Sequence, residues 1–562
     1  MAYFQRIKWI VSLFFLLLSY YVKAQNNETS FIHLDRPFYV VGDEVWFKIY
    51  LLGNEVVSST IIHAELVSPE GKTLLHQNLK VTNKMALGNF KIPLEWQEGH
   101  YLFRTYTLWQ NDSLNTSKAV ISKLILPIYN DFTDVKPLPV KAVSSTENIE
   151  IPAVMGDFTV SCDEKRVFKR NEKITLTLSI KDAQNKPIEA DLSVSIFEYI
   201  PLIKNDLWAH FQETQAKMSD KSFENQTLKT EKELTLEGKI LDSKNQNLIT
   251  DNYLSLYLPQ SKQFKRITAK DGFFKTTLPF FEAQTDIQML CLNPNRSYPL
   301  EIEPVEKPLY LPNYKAEKIP ERLPEIDKYL QLNRFRRQTV DIFNFSSSNT
   351  ALKDSFKNIL LYEPDNSYDT KNFTNITTFE DFVKEVMYTS IIIKKDDKKT
   401  MRLQNADVKK IYNFAPWYLV DGLFADDEEQ VLNIPINDIS HIDIFNKKKT
   451  IEKYFDPLMF RYGIVSVTTK KSQSVLTLIK PKKSVIQGFT PLQDWQETLV
   501  IDDKFPNFQP MLTWQPSLKT SRNGSTSVSF KAGDIKGKFA VRVVGKTSDE
   551  KPVSGIFIIE IN

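Results

Sequence analysis

The sequence predicts a mainly β chain: tandem Ig-like β-sandwiches interrupted by one α+β module. Three observations carry this reading. Short segments of alternating apolar and polar residues, separated by turn chemistry, recur from Phe31 to Leu126, from Phe158 to Ile196 and again from Ser525 to Val544. A clear helical period, with Phe379, Phe382, Val383 and Val386 at i, i+3, i+4 and i+7, stands in the middle of the chain behind Thr377 and Glu380, which read as a capping box. The length of 562 residues, at about 100 to 200 residues per domain, calls for about three to five cores.

Residues 1–24 carry Arg6 and Lys8, an apolar run from Trp9 to Leu18, and the small-residue pattern Val22-Lys23-Ala24, the layout of a secretory signal cut before Gln25. The run is short for a hydrocarbon core that takes about 20 apolar residues. A first sandwich is expected over 25–132, with strands at Val45–Leu51, Ile61–Val67 and Tyr101–Leu108 and turns at Gly42-Asp43 and Pro69-Glu70-Gly71-Lys72. A linker running to Pro152 leads into a second β-domain over 153–233, whose stretch from Asn205 to Glu233 reads as a surface excursion. A third sandwich follows over 234–303.

Prolines at 304, 308, 312, 320 and 324 make 304–368 a linker with one short helix around Ile326, Tyr329 and Leu330. The α+β module spans 369–475. In it Ile391-Ile392-Ile393 and Met401-Arg402-Leu403 flank a charged hairpin turn, and strands are expected at Trp417–Val420, His441–Phe445 and Ile464–Thr469. Residues 484–562 return to alternation and are expected to form a C-terminal sandwich.

Charge and motifs narrow the function. Three of the 72 Lys and Arg residues, Arg6, Lys8 and Lys23, lie in 1–24 with no acid, so the remainder carries 69 charges of each sign. A neutral chain lacks the basic footprint that nucleic-acid binding requires. No stretch after Ala24 is apolar enough for a transmembrane helix. There is no HExxH, GxSxG, P-loop or paired CxxC, so no catalytic, cofactor-binding or metal-ligating residue is assigned and no cofactor is expected. The run Asp426-Asp427-Glu428-Glu429 lacks the alternating ligands and glycine of a calcium loop and reads as a solvated turn. Lys447-Lys448-Lys449 reads as a solvated hairpin end, and His33 beside Asp35 and Arg36 as strand-edge polar residues. Cys162 and Cys291 both sit in strand-like surroundings, and the sequence leaves their pairing open.

Several motifs resemble known families. Asp35-Arg36-Pro37-Phe38-Tyr39 with Gly42-Asp43-Glu44-Val45-Trp46-Phe47-Lys48 resembles the MG2 domain of alpha-2-macroglobulin-like proteins of Gram-negative envelopes. Residues 158–198 look like a further macroglobulin-type domain, and 234–292 resemble a carboxypeptidase-regulatory-like domain. Trp417-Tyr418-Leu419-Val420-Asp421-Gly422, Ile436–Ile444 and Tyr462–Lys471 together are similar to the plug domain of TonB-dependent outer-membrane receptors. The region around Thr513-Trp514-Gln515-Pro516 and Asn523-Gly524 resembles the terminal β-domain of the same multidomain envelope proteins.

Two departures matter. A macroglobulin trap uses a thioester from a CGEQ-type motif, whereas Cys162 precedes Asp163-Glu164-Lys165 and Cys291 precedes Leu292-Asn293-Pro294. A receptor surrounds its plug with a barrel, and the 91 residues after Lys471 are too few for one. The resemblance therefore implies macroglobulin-type sandwiches around one plug-like module in an exported protein of the periplasm or outer membrane. The expected role is non-enzymatic: binding or scaffolding an outer-membrane or periplasmic protein partner. The plug-like sheet is the expected docking element, through Leu419, Val420, Asp421, Gly422, Ile442, Ile444, Ile464 and Val467. An accessory ligand-binding role in TonB-dependent nutrient uptake and an exported hydrolase with an unrecognised site are the alternatives. On this reading the mature chain begins at Gln25. Mass spectrometry of N-terminal peptides should recover that end, and a dominant chain retaining Met1 would reverse the reading.

Overall fold

The computed structural model describes residues 29–52, 59–108, 110, 121–132, 158–162, 165–200, 231–242, 247–248, 253–292, 300–304, 315, 322–342, 362–373, 375–395, 398–493, 495 and 507–562. The signal segment, the linker before Pro152 and most of the excursion from Asn205 lie outside them. The chain is mainly β, in several small sheets, as the alternation predicts. It divides into two units, one of Met1–Lys232, Leu309–Asn349 and Phe489–Asn562, the other of Glu233–Pro308 and Thr350–Gly488.

In the first unit, the opening sandwich stacks a three-stranded sheet (Thr29–Leu34, Glu44–Leu52, Met85–Lys91) on a five-stranded one. The latter is ordered Tyr39–Val40, Ser122–Tyr129, Gly99–Tyr106, Ile61–Val67, Thr73–Lys80. Ile32, Phe47, Ile49, Ile62, Phe103 and Leu126 fill the space between. The Asp35-Arg36 motif fastens the start of this sandwich. Fully buried Asp35 accepts from the Tyr39 hydroxyl at 2.7 Å, the Trp46 amide at 2.9 Å and Arg36 Nε at 3.0 Å. Arg36 continues to Asp43 at 3.2 Å and to the Glu44 carbonyl at 2.9 Å. Burial raises the Asp35 pKa against the pull of Arg36, Tyr39 and the Trp46 amide, so these donors do structural work, satisfying a carboxylate that could not otherwise be buried.

The second sandwich differs from expectation. Its five-stranded sheet runs Val167–Phe168, Pro552–Ile561, Gly537–Thr547, Ala190–Glu198, Met511–Lys519, and its three-stranded sheet runs Ser525–Lys531, Lys173–Asp182, Phe158–Cys162. The segment read as a separate C-terminal sandwich therefore supplies half the strands of the domain begun at Phe158, and one core joins Leu176, Leu192, Val194 and Ile196 to Val528, Phe530, Val541 and Val543. Local alternation identifies strands but not partners more than 300 residues away. The helix in the proline-rich segment is also longer than expected, Pro324–Ile342. Its Ile326, Tyr329 and Leu330 pack on Phe38, Val40 and Tyr129 of the first sandwich. Arg336 bonds Glu198 at 2.8 Å, and Arg322, just before the helix, pairs with Glu98.

In the second unit, Phe273–Thr277, Thr235–Asp242 and Leu300–Pro304 form one sheet. Gln263–Thr268, Tyr253–Leu258, Gln284–Cys291 and Ser484–Gln487 form the other. Ser484–Gln487 thus belongs to the third sandwich and not to the C-terminal one. Cys162 lies in the first unit and Cys291 in the second. The α+β module carries a five-stranded sheet (Asn366–Asp369, Ile439–Phe445, Ile464–Thr469, Trp417–Val420, Leu423–Ala425) and a three-stranded one (Ser390–Lys395, Lys398–Asn405, Lys410–Ile411). The helix Phe379–Glu385 begins one residue later than the capping pattern suggests: Thr378 is the cap, its hydroxyl accepting from the Asp381 amide at 3.0 Å.

The shared second sandwich has a measurable consequence. A chain lacking residues 507–562 should leave Lys173–Asp182 and Ala190–Glu198 exchanging backbone hydrogens at the rate of unfolded peptide, while Ile61–Val67 in the first sandwich stays protected. Hydrogen-exchange mass spectrometry checks both.

Candidate functional site

The expected docking sheet is closed on both faces. Tyr418, Val420, Ile442, Ile444, Val465 and Val467 point to one side, where the helices Phe379–Glu385, Glu428–Leu432 and Ser472–Ile479 cover them with Phe382, Val383, Val431 and Val475. Trp417, Leu419, Phe445 and Ile464 point to the other, where Tyr257, Leu290 and Leu292 of the third sandwich meet them with Phe424 and Tyr454. Leu419, Val420, Ile442, Ile444, Ile464 and Val467 are thus core residues, each at most 1% exposed, and present no surface to a partner. The expectation fails because a sheet with apolar residues on both faces is covered by its own chain.

Asp421 and Gly422 remain half-buried in a turn with φ of 47° and 83°. Asp421 accepts from the Thr469 amide at 2.8 Å and hydroxyl at 2.5 Å. The Gly422 carbonyl accepts from the Tyr257 hydroxyl at 3.0 Å. The turn is a joint between strands and between the module and its neighbouring sandwich. Asp456 strengthens that joint, taking Arg266 at 2.7 Å and the Ser255 hydroxyl at 3.1 Å.

The other polar residues singled out in the sequence serve local structure. Within the acidic run, Asp427 caps the helix Glu428–Leu432 by accepting from the Glu429 and Gln430 amides, and Glu428 accepts from the Met401 amide at 2.8 Å and the Tyr418 hydroxyl at 2.7 Å. Lys448 and Lys449 open a helix, Lys448–Tyr454, where a hairpin end was expected. His33 is fully buried, with Nδ1 2.5 Å from Ser193 Oγ, and burial holds its pKa well below the ordinary histidine value.

Sequence reasoning missed one cluster of titratable groups, on the outer face of the first sandwich. The register of Ile61–Val67 against Thr73–Lys80 and Gly99–Tyr106 places His63 opposite Asn78 and Tyr106, and Glu65 opposite His76 and Arg104. His63 Nε2 lies 2.8 Å from Glu231, and Nδ1 lies 3.0 Å from Asn78 Oδ1. Glu65 takes Arg104 Nε at 2.6 Å, the Tyr106 hydroxyl at 2.8 Å and His76 at 3.0 Å. The findable signal was the pairing of His63-Ala64-Glu65 and His76-Gln77-Asn78 across the Pro69–Lys72 turn. Among the described residues no three His, Cys, Asp or Glu side chains are arranged to hold a metal ion. The cluster instead ties Glu231, near the end of the stretch from Asn205 to Glu233, to the first sandwich, and the Thr60 amide reinforces it by donating to the Glu231 carbonyl at 3.0 Å.

What the module does leave open is its three-stranded sheet. Ile392, Met401 and Leu403 point into the core. Ile391, Ile393 and Ile411 point outward at 43%, 42% and 40% exposure, and lie opposite Arg402, Thr400 and Gln404. Ser390–Lys395 is an edge strand, paired among the described residues only with Lys398–Asn405. Among the described residues no helix is long and apolar enough to cross a membrane.

No protein-family model matches the sequence, and a comparison with curated proteins found no match. Among solved structures, alpha-2-macroglobulin of Escherichia coli activated by porcine elastase aligns over 95% of this chain and 44% of its own, with 9% identity and a TM-score of 0.24. Salmonella alpha-2-macroglobulin reacted with methylamine aligns over 96% and 40%, with 8% identity and a TM-score of 0.24. This chain spans less than half the length of either, and a TM-score of that size does not establish a shared fold.

The Glu65 cluster predicts a pH dependence. Burial works against ionisation of Glu65, but the hydrogen bond from His76, the charge of Arg104 and the bonds from Tyr106 and Arg104 outweigh it and pull its pKa down to about 2. A carboxylate depressed in the folded state adds stability that is complete above its unfolded pKa and is lost as pH falls through the folded one. The first sandwich should therefore lose up to about 3 kcal/mol between about pH 5 and pH 2. Denaturant melts of the wild type and Glu65→Gln should show that slope in the former and a shallower one in the latter.

Proposed function

We propose that this chain is an exported, non-enzymatic envelope protein that binds an outer-membrane or periplasmic protein and holds it on a scaffold of sandwiches. The observation that carries the reading is the outward isoleucine face of Ser390–Lys395 and its edge, which is unpaired among the described residues, beside a five-stranded sheet that is covered on both faces. Exposed apolar residues on an open sheet edge are the usual means of recruiting another chain. Export rests on residues 1–24, and the envelope setting on the MG2-like and plug-like motifs. The non-enzymatic part rests on how the polar residues are spent: His33, Asp35 and Glu65 are enclosed in structural bonds, and reaction at any of them would need those bonds broken.

Removing 369–475 is a poor test, since it would strip the cover from Tyr257, Leu290 and Leu292. The better test is affinity capture with the intact mature chain from the native envelope, against a tag-only control. At least tenfold enrichment of one outer-membrane or periplasmic protein, reproduced with the purified pair, is the expected outcome. No enrichment, or turnover of ester, peptide or glycoside substrates by the pure chain, would overturn the reading.

A further inference from the structure

We propose that the joint between the two sandwiches of the first unit is an acid-opened hinge, released by protonation of His33. This residue lies on Thr29–Leu34 and is fully buried against the second sandwich. Its Nδ1 is 2.5 Å from Ser193 Oγ, its Nε2 is 3.4 Å from Ser195 Oγ, and its ring lies 5.0 Å from that of Trp514. A neutral imidazole suits this setting, accepting from one serine hydroxyl and donating its single N–H to the other. A second proton leaves the ring two donors and no acceptor, so one hydroxyl loses the nitrogen it donated to, and a charge is enclosed away from water.

The groups around the ring add to that cost. The register sets His33 opposite Lys48, and Ser195 opposite Arg542. Both cations are buried and donate across the joint, to the Pro516 and Leu34 carbonyls. Lys546, buried on the same strand as Arg542, pairs with Glu550 at 3.3 Å, and Glu550 also takes Lys84 of the first sandwich at 2.9 Å. Asp35 is engaged by Arg36, Tyr39 and the Trp46 amide, and Asp191 lies 3.7 Å from Lys519. Among the described residues no carboxylate bonds His33. Burial, then Arg542 and Lys48, hold the His33 pKa well below its ordinary value, and burial also lowers Lys48 to about 7, Arg542 to about 10 and Lys546. The closed joint therefore binds fewer protons than the open one, and acid favours opening. Lys48 has regained its charge below about pH 7. The His33 contribution is complete above about pH 6.5, its open-state value, and is lost below it by up to about tenfold in the closed-to-open ratio per pH unit. Glu65, held ionised down to about pH 2, takes up its proton in a lower range.

The test puts a thiol reporter into the joint of the full mature chain. Val544 is fully buried there among Phe31, Tyr50 and Leu52. Val544→Cys, with Cys162→Ser and Cys291→Ser, is labelled with dithiodipyridine from about pH 7 to about pH 5, each rate being divided by that of the urea-unfolded chain at the same pH. The corrected rate should rise at least tenfold across that range, while the hydrogen-exchange protection of Ile61–Val67 stays unchanged. Adding His33→Gln, which keeps a donor and an acceptor but does not titrate, should abolish the rise. Exchange of the histidine C2 hydrogens in the wild type, followed by mass spectrometry, reads each imidazole separately and should place the His33 midpoint at least one pH unit below 6.5. That measurement decides the matter where His33→Gln does not fold. A flat labelling rate, the same rise in His33→Gln, a His33 midpoint at 6.5 or above, or a rise accompanied by loss of protection in Ile61–Val67 would each overturn the proposal, the last because it marks unfolding of the first sandwich instead of opening of the joint.

Discussion

The pairing of Ala190–Glu198 with strands from the end of the chain is the constraint on which the rest of the first unit depends. This strand lies at the centre of its sheet, with Gly537–Thr547 on one side and Met511–Lys519 on the other. Leu192, Val194 and Ile196 are fully buried against Val541 and Val543, and each such side chain contributes roughly 1.5 to 3 kcal/mol on leaving water. The closure entropy of the intervening loop grows only logarithmically, by about 0.6 kcal/mol for each doubling of length. A loop of some 300 residues can thus be carried between the two halves of one sandwich, and the whole second unit is an insertion between Glu198 and Met511.

The two sandwiches of the first unit meet through polar groups rather than through an oily seam alone. The Tyr50 hydroxyl lies 2.8 Å from Ser193 Oγ and 3.0 Å from the Val544 carbonyl, Lys48 Nζ donates to the Pro516 carbonyl at 2.7 Å, and Arg542 donates to the Leu34 carbonyl at 3.3 Å. Phe31 stacks on Tyr50 at 4.7 Å. Burial drives the pKa of Lys48 down to about 7 and that of Arg542 down to about 10, and drives that of Tyr50 up. Apolar contact alone tolerates sliding, but a buried donor displaced from its acceptor costs about 1 to 3 kcal/mol. The joint therefore holds one orientation.

How far the sequence could be read follows from the range of the forces involved. Strands such as Glu44–Leu52 and Ile464–Thr469, the hairpin around Lys394–Lys399 and the helix Phe379–Glu385 were legible because alternation, turn residues and caps act over a few positions. The shared second sandwich was not, since nothing local in Val541 or Val543 names Leu192 as its neighbour. The docking residues were misplaced for a related reason. Leu419 and Val420 are both apolar, and that pattern marks a strand covered on two sides, not a sheet with a face to offer. The histidine cluster needed only the register of one hairpin, because His63 and Glu65 on one strand already implied His76 and Asn78 across from them.

These placements explain why the spare surface lies where it does. In both units the central strands are covered twice over, and the buried carboxylates are committed to amides, hydroxyls and guanidinium groups that would be stranded without them. Residues so committed can vary little without loss of the fold. The three-stranded sheet of the α+β module is held differently: one face, through Ile392, Met401 and Leu403, anchors it in the core, and the other makes no comparable demand. Its outward isoleucines, Ile391 and Ile393, add nothing to the buried core.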